Sequence, residues 1–418
     1  MKNVFFGLSF MVFLLSFSSC LKDSCKEQKT FVQYMPVYLT KAQFRTDIKS
    51  ESTRKLENPG KFYFYKTYLF INDQGKGIHV YDLKDETRPV KLTFYNIAGN
   101  FDIAIKDNIL YADNVIDLIA LDISDISYPK LVKRIEDYKG HYTGFDPQQY
   151  FAYSVRSDRT TVLDCSDQNF GGKVFTNPSG VFFDLSSAPN SSVIKNGSST
   201  GVGGSFARFT VVNDYLYVVD QTSLKSFLVS KPENPLLKNT NQLGWGIETI
   251  FPYKDKLFIG SNAGMFIFDN SRPETPILQS VFEHARACDP VVVSGNTAYV
   301  TLRDGNECLG YINQLDVIDI TNVLKPKLIK TYPMQHPHGL SVSGDNLFLA
   351  EGVHGFKVLN IKDPQKVSEI GSVKGAHSYD MISLNDDILF MIGDDGFYLY
   401  NVSNTNKPIL ISTIKKNE

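Results

Sequence analysis

The stretch LSVSGDNLFLAEGVHGFKVLNIKDPQKVSEIGSV, residues 340–373, contains four short apolar runs separated by residues that favour turns. Glycine, asparagine, aspartate and proline at such breaks are typical of tight turns between antiparallel strands. The stretch therefore predicts a sheet of four short antiparallel strands. The runs and breaks are, in order, Leu340–Ser343, the turn Gly344–Asn346, Leu347–Ala350, Phe356–Ile361 after Gly355, and Val367–Val373 after Asp363-Pro364.

The third run of this unit, an apolar segment that closes on an acidic, amide or hydroxyl residue, recurs along the chain. Successive copies are 40, 42, 66, 39, 50, 41 and 41 residues apart, and in five of them a proline follows seven residues later. Such regular spacing indicates an internal repeat of about 40 residues. The copies are His79–Asp82, Ile119–Asp122, Thr161–Asp164, the degenerate Phe227–Ser230, Phe266–Asp269, Val317–Asp319, Lys357–Asn360 and Tyr398–Asn401.

An isolated four-stranded sheet leaves both of its apolar faces in water, so the units are expected to stack face to face. Closing them into a ring leaves no long strand edge unpaired. We therefore expect an all-β fold, a β-propeller of eight blades with four antiparallel strands each. The alternatives are a ring of seven blades with one unit outside it, and an open β-solenoid, which the antiparallel turns disfavour.

Composition agrees with an all-β class, because the chain has 30 phenylalanines and 22 tyrosines, residues that favour strands. The formal net charge is −2, and no run of five or six like charges occurs. A surface that binds phosphate backbones needs such basic runs. Nucleic acid is therefore not an expected partner.

The N-terminus has the features of an export signal. Lys2 precedes the apolar stretch Val4–Phe17, which is shorter than the about 20 residues of a spanning helix, and Ser18-Ser19 lead to Cys20. This ending resembles a lipobox, which implies cleavage before Cys20 and a lipid anchor of diacylglycerol and a further acyl chain, such as palmitate, on that residue. By the same resemblance, Leu21 implies delivery to the outer membrane, with exposure at the cell surface as a hypothesis. An uncleaved membrane anchor is the alternative.

We therefore divide the chain into a signal peptide at 1–19, a tether at 20–34, an N-terminal segment at 35–59 and one propeller domain at 60–418. In the segment, Thr40 and Gln43 have capping-box spacing for a short helix that packs on a propeller face. Phe31–Leu39 as a closing strand is the alternative. The step of 66 marks an insertion at 166–205, either a binding loop or a disordered surface excursion.

The remaining cysteines would lie in an oxidising compartment. Cys288 and Cys308 flank a predicted hairpin at its open end, which predicts a disulfide between them, with two separately buried thiols as the alternative.

The repeat resembles the LVIVD type, as in Leu315–Ile320, where an apolar run surrounds Val-Ile-Asp. The chain as a whole is similar to LVIVD-repeat β-propeller lipoproteins of Bacteroidota. This resemblance implies a propeller fold and a location in the cell envelope, and it implies no activity. It is carried by Ala287–Val293, Asn313–Val317 and Pro337–Leu340.

The most specific hypothesis for a catalytic site concerns histidines near the start of the predicted units. First strands lie close to a propeller axis, so His336, His338 and His377 could meet at the mouth of the central channel and bind a transition metal. Histidines in such loops more often hydrogen-bond the backbone. Calcium at Gly393–Gly396 or Asn385–Asp387 is a weaker hypothesis, because neither has calcium-loop spacing.

No catalytic motif stands out, so the leading hypothesis is a non-catalytic binding scaffold for a protein or glycan. Its expected contacts are the 166–205 insertion, the Arg303–Asn313 loop and residues at strand starts. The alternative is a metal-dependent or glycan-active enzyme at the channel mouth. The strand-start candidates are Arg208, Arg286 and Asp289, and Arg303 is the candidate in the loop.

Overall fold

The computed structural model describes residues 26–52, 54–138, 146, 148–164, 202–205, 207–262, 264–283, 290–303 and 312–417. The chain divides into two compact units, one formed by residues 1–36 and 154–181 and the other by residues 37–153 and 182–418. Cys20, Cys288, Cys308 and the signal segment lie outside the described residues, as does the insertion up to residue 201.

Nearly all of the regular structure is β-strand, with one four-residue helix among the described residues. The elements in chain order are β1 Lys26–Thr40, α1 Lys41–Phe44, β2 Ser50–Glu51, β3 Pro59–Tyr65, β4 Tyr68–Asp73, β5 Gly77–Asp82, β6 Val90–Asn96, β7 Ile103–Lys106, β8 Ile109–Asp113, β9 Leu118–Asp122, β10 Lys130–Ile135, β11 Gln149–Asp164, β12 Val202–Gly203, β13 Phe209–Val212, β14 Tyr215–Val219, β15 Ser223–Leu228, β16 Leu236–Gln242, β17 Ile247–Tyr253, β18 Lys256–Ser261, β19 Gly264–Asp269, β20 Ile277–Glu283, β21 Val291–Ser294, β22 Thr297–Leu302, β23 Gln314–Asp319, β24 Lys327–Pro333, β25 Leu340–Ser343, β26 Asn346–Ala350, β27 Phe356–Asn360, β28 Ser368–Val373, β29 Ser378–Ser383, β30 Ile388–Gly393, β31 Gly396–Asn401 and β32 Ile409–Lys415.

The second unit is a seven-bladed β-propeller. Each blade is built on an antiparallel sheet of four consecutive strands, and in blade one β12 and β2 extend this sheet at its inner and outer edges. The blades are β3–β6, β7–β10, β13–β16, β17–β20, β21–β24, β25–β28 and β29–β32, numbered one to seven in this order. Blade six has its strands where residues 340–373 predict them, so the four-stranded unit is confirmed.

The expectation of eight blades is wrong. Seven of the eight repeat copies end the third strand of a blade, but Thr161–Asp164 lies in β11, which pairs with β1 in a separate two-stranded sheet. No four-stranded sheet forms around this copy in the described residues, and no proline follows it seven residues later. An apolar run that ends in aspartate fits any strand, so this copy matched the pattern by composition alone.

The first strand of each blade is the innermost. First strands contact the first strands of neighbouring blades from β3 round to β29, and β3 closes the ring against blade seven through β30. Fourth strands lie outermost, where their side chains are largely exposed, as in β10 and β20. The core therefore lies between the flat faces of adjacent blades.

Buried tyrosines connect neighbouring blades. The hydroxyl of Tyr95 in blade one donates to the carbonyl of Ile126 in blade two at 2.7 Å. Tyr111 in blade two donates in the same way to Pro232 in blade three at 2.8 Å. Both rings are fully buried. Each hydroxyl donates to the loop before the fourth strand of the next blade, so it keeps a hydrogen-bond partner although it is buried.

The first unit contains most of the two-stranded sheet of β1 and β11. Part of the segment for which a tether is expected, from Lys26 onward, is thus a strand. Near the end of β1, the ring of Tyr38 contacts the ring of Phe151, near the start of β11, with their centroids 6.0 Å apart.

Helix α1 follows β1 directly and has the capping box that the sequence predicts. The Thr40 side chain accepts from the backbone nitrogen of Gln43, and the Gln43 side chain accepts from the backbone nitrogen of Thr40. In the described part of the chain, no helix has the length and apolar character needed to cross a membrane.

Candidate binding face

We define the upper face as the end of the propeller at which the first strand of each blade begins. Because the strands alternate in direction, the turns between second and third strands lie at this end too. Buried polar side chains are concentrated here, and burial of such groups is tolerated only when they are hydrogen-bonded. They include Asn72, Asp73, Asn100, Asp102, Asp113, Asn114, Asp117, Ser205, Arg303, His338, Glu351, Ser378 and Asp380.

The described end of the insertion enters the axis of the ring. In β12, Val202 pairs with Phe64 and Gly203 with Tyr63, on the inner edge of the innermost strand of blade one. The hydroxyl of Ser205 then accepts a hydrogen bond from the backbone nitrogen of Leu340 in blade six at 3.3 Å. The same hydroxyl lies 3.5 Å from an oxygen of Asp380 in blade seven.

The chain continues from Ser205 to the other side of the ring. The carbonyl of Ala207 accepts from the backbone nitrogen of Ile250 in blade four at 2.9 Å. The backbone nitrogen of Arg208 donates to Asp102, at the start of blade two, at 2.6 Å. Residues 202–205, 207 and 208 therefore bond to blades one, two, four, six and seven, and they lie across the upper end of the axis.

A buried ion pair lies beside this crossing. The ammonium group of Lys61 in β3 contacts the Asp102 carboxylate at 2.5 Å. Burial lowers the pKa of Lys61 and raises the pKa of Asp102, and the attraction between the two groups opposes both shifts. Removal of either partner would leave the other group buried without its counter-charge. Arg208, predicted as a ligand-binding residue, also donates from its side chain to the carbonyl of Glu248 at 3.2 Å.

The predicted histidines gather between blades five, six and seven. His336 Nδ1 lies 3.1 Å from His338 Nε2, and Arg303 also reaches that Nε2 atom at 3.4 Å. His338 and His377 both pack on the ring of Tyr379, with centroid distances of 5.2 Å and 4.7 Å. The structure thus places these three residues near one another.

The electrostatics of this cluster favour a neutral His338. A guanidinium group only donates, so Nε2 of His338 accepts and the ring proton is on Nδ1. Burial lowers the pKa of His338 well below its usual range, and the charges of Arg303, His336 and His377 lower it further. Within the described ranges, no three His, Cys, Asp or Glu side chains are placed to hold a metal ion. Arg286 and Asp289 lie outside the described residues.

The N-terminal segment is fixed to the turn of blade two by a buried carboxylate. Arg45, just after α1, donates two hydrogen bonds to Asp117, at 2.8 Å and 2.9 Å. Arg134 donates a third at 3.0 Å, and Asp117 is fully buried. Burial raises the pKa of Asp117, but these donors more than compensate and hold it below its usual range. Phe44 packs into the adjoining apolar cluster.

The side chain of Trp245 is an exposed feature of the upper face that the sequence patterns above did not indicate. It lies in the loop between β16 and β17 and is 72% exposed. It is the single tryptophan of the chain, and glycines flank it on both sides. That unusual combination was the signal in the sequence that could have indicated it.

Comparisons with known proteins agree with this architecture. The LVIVD repeat model matches residues 100–137 and 285–333, which include blade two and blade five, so the LVIVD resemblance is confirmed for these parts. No curated protein matches the chain.

Solved structures resemble the chain in fold only. The computationally designed Ika8 protein has a TM-score of 0.51 at 10% identity, covering 87% of this chain and 92% of its own. A functionally unknown protein from Desulfotomaculum acetoxidans has a TM-score of 0.51 at 11% identity, covering 86% and 95%. BamB from Moraxella catarrhalis has a TM-score of 0.48 at 9% identity, covering 88% and 96%.

Proposed function

We propose that this chain is a non-catalytic binding protein of the bacterial cell envelope, and that the upper face of its propeller recognises a protein or glycan ligand. On this proposal it is an outer-membrane lipoprotein of the LVIVD-repeat propeller type found in Bacteroidota, anchored through lipid on Cys20.

The observation that carries the proposal is the occupied axis. Residues 202–205, 207 and 208 bond to five blades at the upper end of the axis, and Lys61 and Asp102 beside them form a buried ion pair. A rigid scaffold with surface loops held in fixed positions is suited to recognition. A ring whose axis is filled by its own chain offers its rim, rather than its channel, to a ligand.

The proposed face can be tested by site-specific photo-crosslinking in intact cells. A photoreactive residue replaces Val353 on the upper face, which is 65% exposed. Matched controls replace Tyr128 or Leu324 on the opposite face, 69% and 58% exposed. Adducts only from the upper face support the proposal. Adducts only from the opposite face, or from neither face, overturn it.

The anchor can be tested separately by metabolic labelling with a clickable palmitate analogue. The proposal expects label on the wild-type chain and on a Cys25→Ala variant, and none on Cys20→Ala. Label that persists on Cys20→Ala, or wild-type protein without label in the membrane fraction, overturns the anchor without affecting the proposed face.

A further inference from the structure

The loop that carries Trp245 is held in place by hydrogen bonds, although the Trp245 side chain is exposed. Backbone hydrogen bonds fix its loop on both sides: Leu243 donates to the Thr222 carbonyl at 2.8 Å, and Gly246 donates to the Gln221 carbonyl at 2.9 Å. Asn262 in turn donates to the Gly246 carbonyl at 2.9 Å. The loop between blades three and four is therefore anchored to the turns of both blades, yet it leaves its largest apolar side chain in water.

The backbone of the loop requires glycine beside the tryptophan. Gly244 and Gly246 have φ values of +96° and +93°, in the region that favours glycine. At Gly246, a Cβ atom would collide with the amide group of Asn262. The loop backbone directly after Trp245 is therefore packed against the Asn262 side chain. An exposed indole of this kind is a flat apolar platform with one hydrogen-bond donor at its edge.

The surroundings of the platform are polar and close to neutral. In the turn of blade three, Asp220 accepts from the backbone nitrogens of Thr222 and Ser223 at 2.9 Å and 2.8 Å, and pairs with Lys225 at 2.5 Å. The Asp220 and Lys225 charges therefore compensate each other. Gln221, Thr222 and Asn262 are half-buried, so part of each residue reaches the surface. Amide and hydroxyl groups can both donate and accept.

We propose that Trp245, with the side chains of Gln221, Thr222 and Asn262, forms a binding site for a neutral sugar ring of an oligosaccharide. The apolar face of a pyranose stacks on the indole, while its hydroxyl groups exchange hydrogen bonds with the amides and the threonine. An anionic ligand is disfavoured by the compensated charges, and a lipid surface by the lack of a wider apolar or basic patch among these residues. This inference rests on the proposed function and specifies its ligand.

The single tryptophan makes the test specific, because intrinsic tryptophan emission reports on this site alone. The purified lipid-free chain is titrated with a panel of neutral oligosaccharides of glucose, mannose, xylose and N-acetylglucosamine. We expect a saturable change in emission with at least one of them. Calorimetry should then show binding weakened at least about tenfold in Trp245→Ala and several-fold in Asn262→Ala, but unchanged in Tyr128→Ala.

The outcomes separate this inference from the proposed function. If no oligosaccharide changes the emission, or if Trp245→Ala binds as the wild type does, the glycan site is refuted. A change in emission with vesicles of phosphatidylethanolamine and phosphatidylglycerol, but with no sugar, would replace it with a membrane contact. In each of these cases, crosslinked adducts from Val353 would still support the upper face as the binding face. If Val353 forms no adduct and no oligosaccharide changes the tryptophan emission, both the binding face and the glycan site are refuted.

Discussion

The hydroxyl of Ser205 lies 3.5 Å from the carboxylate of Asp380, although 175 residues separate them in the chain. This contact joins the end of the insertion to the first strand of the last blade. It is part of the crossing that fills the propeller axis, and it depends on close approach of the backbone at Gly339, the residue before β25.

Gly339→Ala should destabilise the propeller by about 2–3 kcal/mol, because overpacking a filled site forces its neighbours to move. A Cβ atom at Gly339 would collide with the Asp380 carboxylate and lie 2.9 Å from the Tyr379 carbonyl. The free energy of unfolding is measured by urea denaturation. Gly344→Ala is the control: its φ of +54° is strained for alanine, but nothing lies within 4 Å of the new Cβ, so about 1 kcal/mol is expected. Equal losses would show that the axis tolerates the methyl group.

Asp117→Asn should cost about 3 kcal/mol, because it leaves the guanidinium groups of Arg45 and Arg134 without their buried counter-charge. Asp137→Asn is the matched control. Asp137 pairs with Lys41, but both side chains are about two-fifths exposed, so less than about 1 kcal/mol is expected. Urea denaturation of both variants checks this. A loss at Asp117 no greater than that at Asp137 would show that the buried carboxylate does not hold the N-terminal segment in place.

Lys61 and Asp102 should be strongly coupled. Lys61→Met and Asp102→Asn should each cost about 3 kcal/mol, because either change strands a buried charge. The double variant should cost clearly less than the sum of the two, which a double-mutant cycle on unfolding free energies measures. Additive losses would mean that the two groups act independently.

His338 should make the propeller less stable in mild acid. Its pKa is lowered in the folded state, so below about pH 6.5 the unfolded chain takes up a proton that the folded chain does not. Stability is thus complete above the unfolded pKa and is lost as pH falls toward the folded value. The unfolding free energy should therefore fall as the pH is lowered from about 6.5.

The variant His338→Gln keeps an acceptor for Arg303 but does not titrate, so its unfolding free energy should fall less over this range than that of the wild type. His354→Gln, an exposed histidine of the same blade, is the control and should leave the wild-type slope unchanged. Parallel slopes for the wild type and His338→Gln would exclude His338 as the source of the pH dependence.

Most of the fold could be predicted from the sequence repeat alone. Period-two patterning and turn residues are local properties, so residues 340–373 gave the four strands of blade six nearly to the residue. The same periodicity assigned His336 and His377 to equivalent positions of the repeat, whereas their arrangement around His338 and Tyr379 is a property of the folded ring.

The number of blades and the closed axis were decided by tertiary structure alone. Thr161–Asp164 has the local pattern of a third strand, but pairing with β1 removes it from the ring, and strand pairing is a long-range choice that no local pattern records. Ring closure brings Ser205 to Asp380, and packing of the N-terminal segment on blade two brings Arg45 to Asp117. In both cases the separation of the two residues in sequence carries no signal. The sequence thus determined the repeating unit, and packing determined how many units close the ring and what fills its centre.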